Sequence, residues 1–165
     1  MKKINNYWII LCNPLTWYEG TELYQVNNLL LNLNKEFWKI NSRTVYNFLE
    51  IGDKGIIKVG IDNRTNKDRY NVKKGITEDE LKSGIYATFE IVKNEEENVY
   101  RKQCENYLGD IESFVHIKIS NNFFKDEIIQ KEKAIEILSK STFYTKSSKK
   151  ITQKQYEDVL LEKKI

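Results

Sequence analysis

The chain contains one histidine, His116, set between Val115 and Ile117 in the alternating run FVHIKIS. A lone imidazole does acid–base work when a partner orients it; with apolar neighbours on both sides, His116 reads as an outward-facing or satisfied strand residue. A nuclease needs clustered carboxylates to hold Mg²⁺ beside a lysine or water-activating group. Glu80 and Lys82 have the acid-x-lysine spacing and Asp62 lies upstream, but among 24 acidic and 27 basic residues such spacings arise by coincidence. A solvated loop or helix end is the simpler account of them. Cys104 stands between Gln103 and Glu105 with no histidine near it in sequence. No HExxH, CxxC or Walker-type motif occurs, and Gly52, Gly55 and Gly60 are spaced too widely to cradle a phosphate. The expectation is a chain with no catalytic set, no metal site and no cofactor.

Aromatic residues offer a different chemistry. Three Trp, ten Tyr and seven Phe supply flat, polarisable rings that serve as core or as stacking platforms. In FWKINSRTVYNFLEIGDKGIIKVGIDNR, residues 37–64, Trp38 stands just before a stretch that Ser42 is placed to cap. A protein that inspects one nucleobase takes it out of the stack, holds it between rings and reads its edge with a few polar groups. Trp38 supplies such a ring, Asn41 and Ser42 supply donors at a helix start, and Asp62 is an acceptor for an amino or ring N–H. The competing use of Trp38 is as core, a common fate of tryptophan.

These residues depend on the elements around them. YWIILC, residues 7–12, is a short apolar run closed by the only proline, Pro14, and reads as a buried strand. TELYQVNNLLLNLN has Leu23, Val26, Leu30 and Leu33 at helical spacing behind Thr21. RTVYNFL after Ser42 predicts a helix of one to two turns, and Gly52-Asp53 a turn into the strand KGIIKVGI. GIYATFEIV (84–92) and FVHIKIS (114–120) predict further strands, while the charged KNEEENVYRKQC between them predicts a hairpin excursion or loop, and 64–83 a solvated connection. In the last third, KDEIIQKEKAIEILSK puts Ile128, Ile129, Ile135 and Leu138 on one helical stripe, and TQKQYEDVLLEK opens on a Thr cap and buries Tyr156, Val159 and Leu160. The order predicts an α+β domain with a mixed, mostly antiparallel sheet, curled toward a barrel, with helices around it.

The totals bound the rest. At 165 residues with no repeat or low-complexity linker, the chain is expected to form a single domain over residues 1–165. Charged residues make up 31% and mean hydropathy is −0.62, no apolar run approaches a bilayer span, and the N-terminal segment lacks a signal-peptide pattern; a cytoplasmic protein with no membrane partner is expected. Two separated cysteines argue against a disulfide framework. A net charge of +3 permits an anionic partner without requiring one.

The motifs YWIILCNP leading to Trp17, W-x-I-N-S at Trp38 to Ser42, the Gly52-Asp53 turn, GIIKVGID and GIYATFEIV, followed by VHIKI and a last helix after KKIT, together resemble the EVE domain of the PUA-like superfamily, related to the YTH readers of methylated RNA. The resemblance spans most of the chain. It implies a PUA-like mixed β-barrel of five or six strands with surrounding helices, and a pocket for a flipped, often modified, base such as 5-methylcytosine. Carried onto this sequence, Trp38 is a cage wall, Trp17 closes the cage, Asn41 and Ser42 are the polar reading positions, and Asp62 faces the base from the end of its strand. Asn41-Ser42 replaces the Arg-Asn pair of many EVE sequences, and VGID replaces a Tyr-His-Ser. Backbone phosphates would then fall to Arg43, Arg64, Lys67 and Arg69, with the basic TKSSKK at 145–150 beside them.

The functional expectation is a non-catalytic reader of a modified base in DNA or RNA, the targeting domain of a modification-dependent restriction or RNA-processing system whose motor or nuclease is a partner. Two alternatives stay open. One is a small divergent metal-dependent nuclease or RNA-modifying enzyme using Glu50, Asp53, Asp62 and Glu90. The other is a protein-interaction domain whose aromatics are all core.

Overall fold

Isoleucine-rich strands lie at the centre of the sheet because they can be buried on both faces. β1 (Tyr7–Cys12) and β3 (Lys54–Val59) run parallel, from Tyr7 opposite Lys54 to Cys12 opposite Val59. β4 (Gly84–Ile91) is antiparallel to β3, β6 (Ile111–Asn122) to β4, and β2 (Phe37–Asn41) to β6, while β8 (Lys149–Ile151) is antiparallel to β1. The path through the sheet is β2-β6-β4-β3-β1-β8, with β5 (Arg101–Glu105) alongside β6 and β7 (Ile129–Gln130) alongside β4. Helices α1 (Lys131–Leu138), α2 (Lys140–Phe143) and α3 (Gln153–Glu162) follow. The computed structural model describes residues 4–12, 37–41, 47–60, 82–93, 98–105, 108–109, 111–123, 126–146 and 148–165, with backbone alone at 12, 37–41, 101–102, 104 and 112–114. Within them the protein is α+β with a mixed sheet, and no pairing joins β2 to β8, so the six-strand path is open.

Side chains alternate across the sheet with a period of two. Trp8, Ile10, Ile57, Val59, Phe89 and Ile91 pack on one face, with Leu49 and Ile117. Ile9, Ile56 and Ile85 pack on the other, against Ala134 and Leu138 of α1, Phe143 of α2, and Tyr156 and Val159 of α3. Burial on both sides explains why β1, β3 and β4 read as continuous apolar runs. The β3–β4 register shifts between Ile57 and Lys58, where Ile57 faces Ala87 but Lys58 faces Ile85. Tyr86 is the extra residue of this bulge, a device that re-aims the side chains on either side of it.

Gly55 is where β1, β3 and β4 crowd together. A Cβ there would sit 2.3 Å from the Trp8 carbonyl oxygen and 2.5 Å from the Phe89 ring, which only glycine avoids. Gly52 takes φ +88° in the turn ahead of β3, a conformation that suits glycine.

β1, β3, β4, β6 and α3 stand where the sequence predicts them. Thr152 closes a full capping box with Gln155, its Oγ1 accepting from Gln155 N at 3.0 Å while Gln155 Oε1 accepts from Thr152 N at 2.9 Å. Other expectations need correcting. The charged stretch expected as an excursion contains β5, held by its ladder with β6 from Arg101 opposite Val115 to Glu105 opposite Ile111. Ile128 and Ile129 do not belong to a helical stripe: Ile129 pairs with Ile85 as part of β7, and α1 begins only at Lys131. Trp38 and Asn41 lie in β2 rather than at a helix start. At the far end of the helix expected after Ser42, residues 47–48 form a turn that exposes Phe48 and buries Leu49; residues 42–46 and the helix expected over 21–34 lie outside the described residues.

Candidate functional site

Of the residues singled out for base binding, Trp17, Ser42 and Asp62 lie outside the described residues, as do Arg43, Arg64, Lys67 and Arg69. Trp38 and Asn41 are described in the backbone. Trp38 is opposite Ile117 and Asn41 opposite Phe114 in the β2–β6 ladder. Ile117 in turn faces Ile91, whose amide donates to the Asp53 carbonyl at 2.8 Å. One row of the sheet therefore joins Trp38 to the Gly52-Asp53 turn. β3 leaves the sheet at Val59, opposite Gly84, which is six residues from Asp53 and so roughly 20 Å along the strand direction at ~3.3 Å per residue.

Asp53 is fully buried and its carboxylate is already engaged. Oδ2 accepts from Trp8 Nε1 at 2.9 Å and from Glu50 N at 3.0 Å, and Oδ1 accepts from Asn6 N at 2.9 Å. Its backbone N–H donates to the Glu50 carbonyl at 3.0 Å. These bonds tie the turn to β1, and a carboxylate so committed has little left for a metal ion. Among the described residues no group of three or more His, Cys, Asp or Glu side chains is placed to hold one.

The other polar side chains in the core divide between structural partners and an unusual cation. Thr88 Oγ1 accepts from Asn121 Nδ2 at 2.8 Å; beneath it Tyr156 packs on Tyr7 with ring centroids 5.1 Å apart, and burial raises the Tyr156 hydroxyl above its ordinary pKa. His116 is buried in β6 and spends its backbone on the ladder, its N–H donating to the Tyr100 carbonyl at 2.8 Å. Placing it on the surface does not hold.

Lys58, on β3, is only 3% exposed. Its Nζ lies 3.4 Å from the Thr145 carbonyl oxygen and 4.8 Å from the centre of the Phe143 ring. Burial, and secondly the neighbouring Lys149, push its pKa down to about 8. Lys149 and Lys150 form the adjacent edge strand β8, with Lys150 Nζ 5.7 Å from the centre of the Trp8 ring. None of the ion pairs among the described residues involves Lys58, Lys149 or Lys150. Sequence reasoning marked the 145–150 segment as basic but passed over Lys58. The available signal was its position in KGIIKVGI, two residues from Ile56 and therefore on the same buried face.

No family model matches the chain, and no curated protein matches it. No helix among the described residues is long and apolar enough to cross a membrane.

Proposed function

We propose that the protein is a non-catalytic nucleic-acid-binding module that reads a flipped, modified base with Trp38, Trp17, Asn41, Ser42 and Asp62, and that it targets a partner motor or nuclease in a restriction or RNA-processing system. The reading takes with it a PUA-like curl of the sheet into a barrel. The observation that favours it is the cationic edge of the sheet. Lys58, Lys149 and Lys150 gather where β3, β1 and β8 adjoin, with no carboxylate paired to them among the described residues, a charge distribution suited to a polyanion. The resemblance of Trp-x-Ile-Asn-Ser, the Gly-Asp turn and the strands after it to EVE domains supplies the base-reading part. The enzyme alternative loses ground because Asp53, one of its four carboxylates, is spent on Trp8, Asn6 and Glu50.

Titration of oligonucleotides with and without methylated cytosine or adenine, as DNA and as RNA, in the presence of Mg²⁺ tests the reading. Tighter binding of one modified strand without cleavage is the expected result. Cleavage supports the enzyme, and no binding at any salt concentration supports an interaction domain.

A further inference from the structure

We infer that Lys58 and Lys149 form a receptor for a phosphate oxyanion at the β3–β8 edge of the sheet, and that it is filled by a backbone phosphodiester of the bound nucleic acid. The inference rests on the proposed reading for the source of the phosphate; the receptor itself rests on geometry.

Lysine ordinarily keeps its ammonium in water while its stem lies on apolar surface, and burial of an ammonium is costly unless it is paired. Lys58 is 3% exposed. Three N–H donors on Nζ meet one carbonyl, that of Thr145, at 3.4 Å, long for such a bond, and the face of Phe143 at 4.8 Å. A second cation, Lys149, lies near enough to disfavour the charged form of Lys58. Two ammonium groups held together by the fold with a single weak acceptor between them are unfavourable until an anion joins them. A carboxylate of the chain would serve, but none pairs with either lysine among the described residues. A phosphate suits the arrangement because its oxygens can accept from both ammonium groups at once, and lysine binds phosphate as a point charge without the planar geometry that arginine requires. Gly60 keeps the approach from the end of β3 open: even a Cβ there would lie 3.8 Å from Lys58 Nζ.

The test is NMR of the full chain with ¹³C at lysine Cε, titrated with inorganic phosphate and separately with an unmodified single-stranded oligonucleotide. Both are expected to shift the Lys58 signal and to move its titration midpoint upward by about 1 pH unit, the effect of an opposite charge brought close. Lys58→Met is expected to weaken phosphate binding about tenfold and to lower the slope of log affinity against log salt for the oligonucleotide by about 1, the signature of one lost phosphate contact. A Lys58 signal that ignores both titrants overturns the receptor, and this measurement on the unaltered protein stands even where Lys58→Met fails to fold. A response to inorganic phosphate with none to the oligonucleotide overturns the assignment to a nucleic-acid backbone. Trp38→Ala separates the two proposals: it should leave the Lys58 response intact, so that loss of the receptor and loss of base preference are read independently.

Discussion

The indole N–H of Trp8 donates to Oδ2 of Asp53 at 2.9 Å, linking the second residue of β1 to the turn that leads into β3. This is the buried polar contact on which the parallel pair is hung. The same carboxylate takes the Asn6 and Glu50 amides, so its removal leaves three donors without an acceptor. Asp53→Ala is expected to cost about 3 kcal/mol or more, since each buried donor left unsatisfied carries a penalty of about 1 to 3 kcal/mol. Trp8→Phe, which removes one donor and some packing, should cost less. In a urea-denaturation cycle the double variant should fall short of the sum of the singles, and strict additivity would show that the two side chains do not act together.

Gly55 is the tightest point of the central strands. Gly55→Ala forces a methyl group into the Trp8 carbonyl and the Phe89 ring, and overpacking of this kind costs about 1 to 3 kcal/mol. Gly60→Ala meets nothing nearer than 3.8 Å and should change stability by less than about 0.5 kcal/mol, the usual range away from packed sites. Equal urea midpoints for the two variants would refute the crowding.

Much of this architecture is legible in the residues, for reasons that also explain the misses. β1, β3 and β4 announce themselves because both faces are buried, which concentrates isoleucine and aromatic residues into short runs. α3 is legible from Thr152 and Gln155, whose spacing is the cap itself. β5 is hidden because what holds Arg101–Glu105 in place is its ladder with β6, a long-range relation that leaves no apolar pattern. β7 is hidden because Ile128 and Ile129 also fit a helical stripe, and pairing with β4 decides between the two. Lys58 is hidden because its cover, Phe143 and the Thr145 carbonyl, comes from 85 or more residues further along the chain. Of the base-reading set, Trp38 and Asn41 appear as a strand at the β6 edge, and the other members lie outside the described residues.

Lys58 carries a pH prediction of definite sign. Its pKa is about 8 in the folded chain against 10.5 for an ordinary lysine, so between these values the unfolded chain binds more protons than the folded one. The cost of burying the charge is fully present below pH 8 and disappears as pH rises through 10.5. Stability should therefore climb over that window, by an amount on the order of 1 to 3 kcal/mol. Lys58→Met should raise stability at pH 7 by a similar amount and flatten the climb. A pH-independent difference between variant and parent, measured by urea denaturation from pH 7 to 10.5, would contradict the buried-charge account.

Thr152→Ala isolates the cap of α3. Loss of the Oγ1 acceptor should cost about 1 kcal/mol, with Thr152→Ser restoring most of it. Because α3 covers the sheet face opposite Trp8, the variant should leave nucleic-acid affinity unchanged per folded molecule, as a binding titration corrected for folded fraction would show.

The central claim is that Trp38 holds an extruded base. The most direct measurement is the ratio of affinities for a methylated and an unmethylated oligonucleotide, compared between the unaltered chain and Trp38→Ala, with circular dichroism to establish that the variant is folded. The account predicts a folded variant whose ratio falls to one, with loss of about 1 to 3 kcal/mol of stacking on the preferred strand. An unfolded variant would mean that the ring is core, and a folded variant that keeps the full preference would mean that the base is read elsewhere; either result contradicts the assignment.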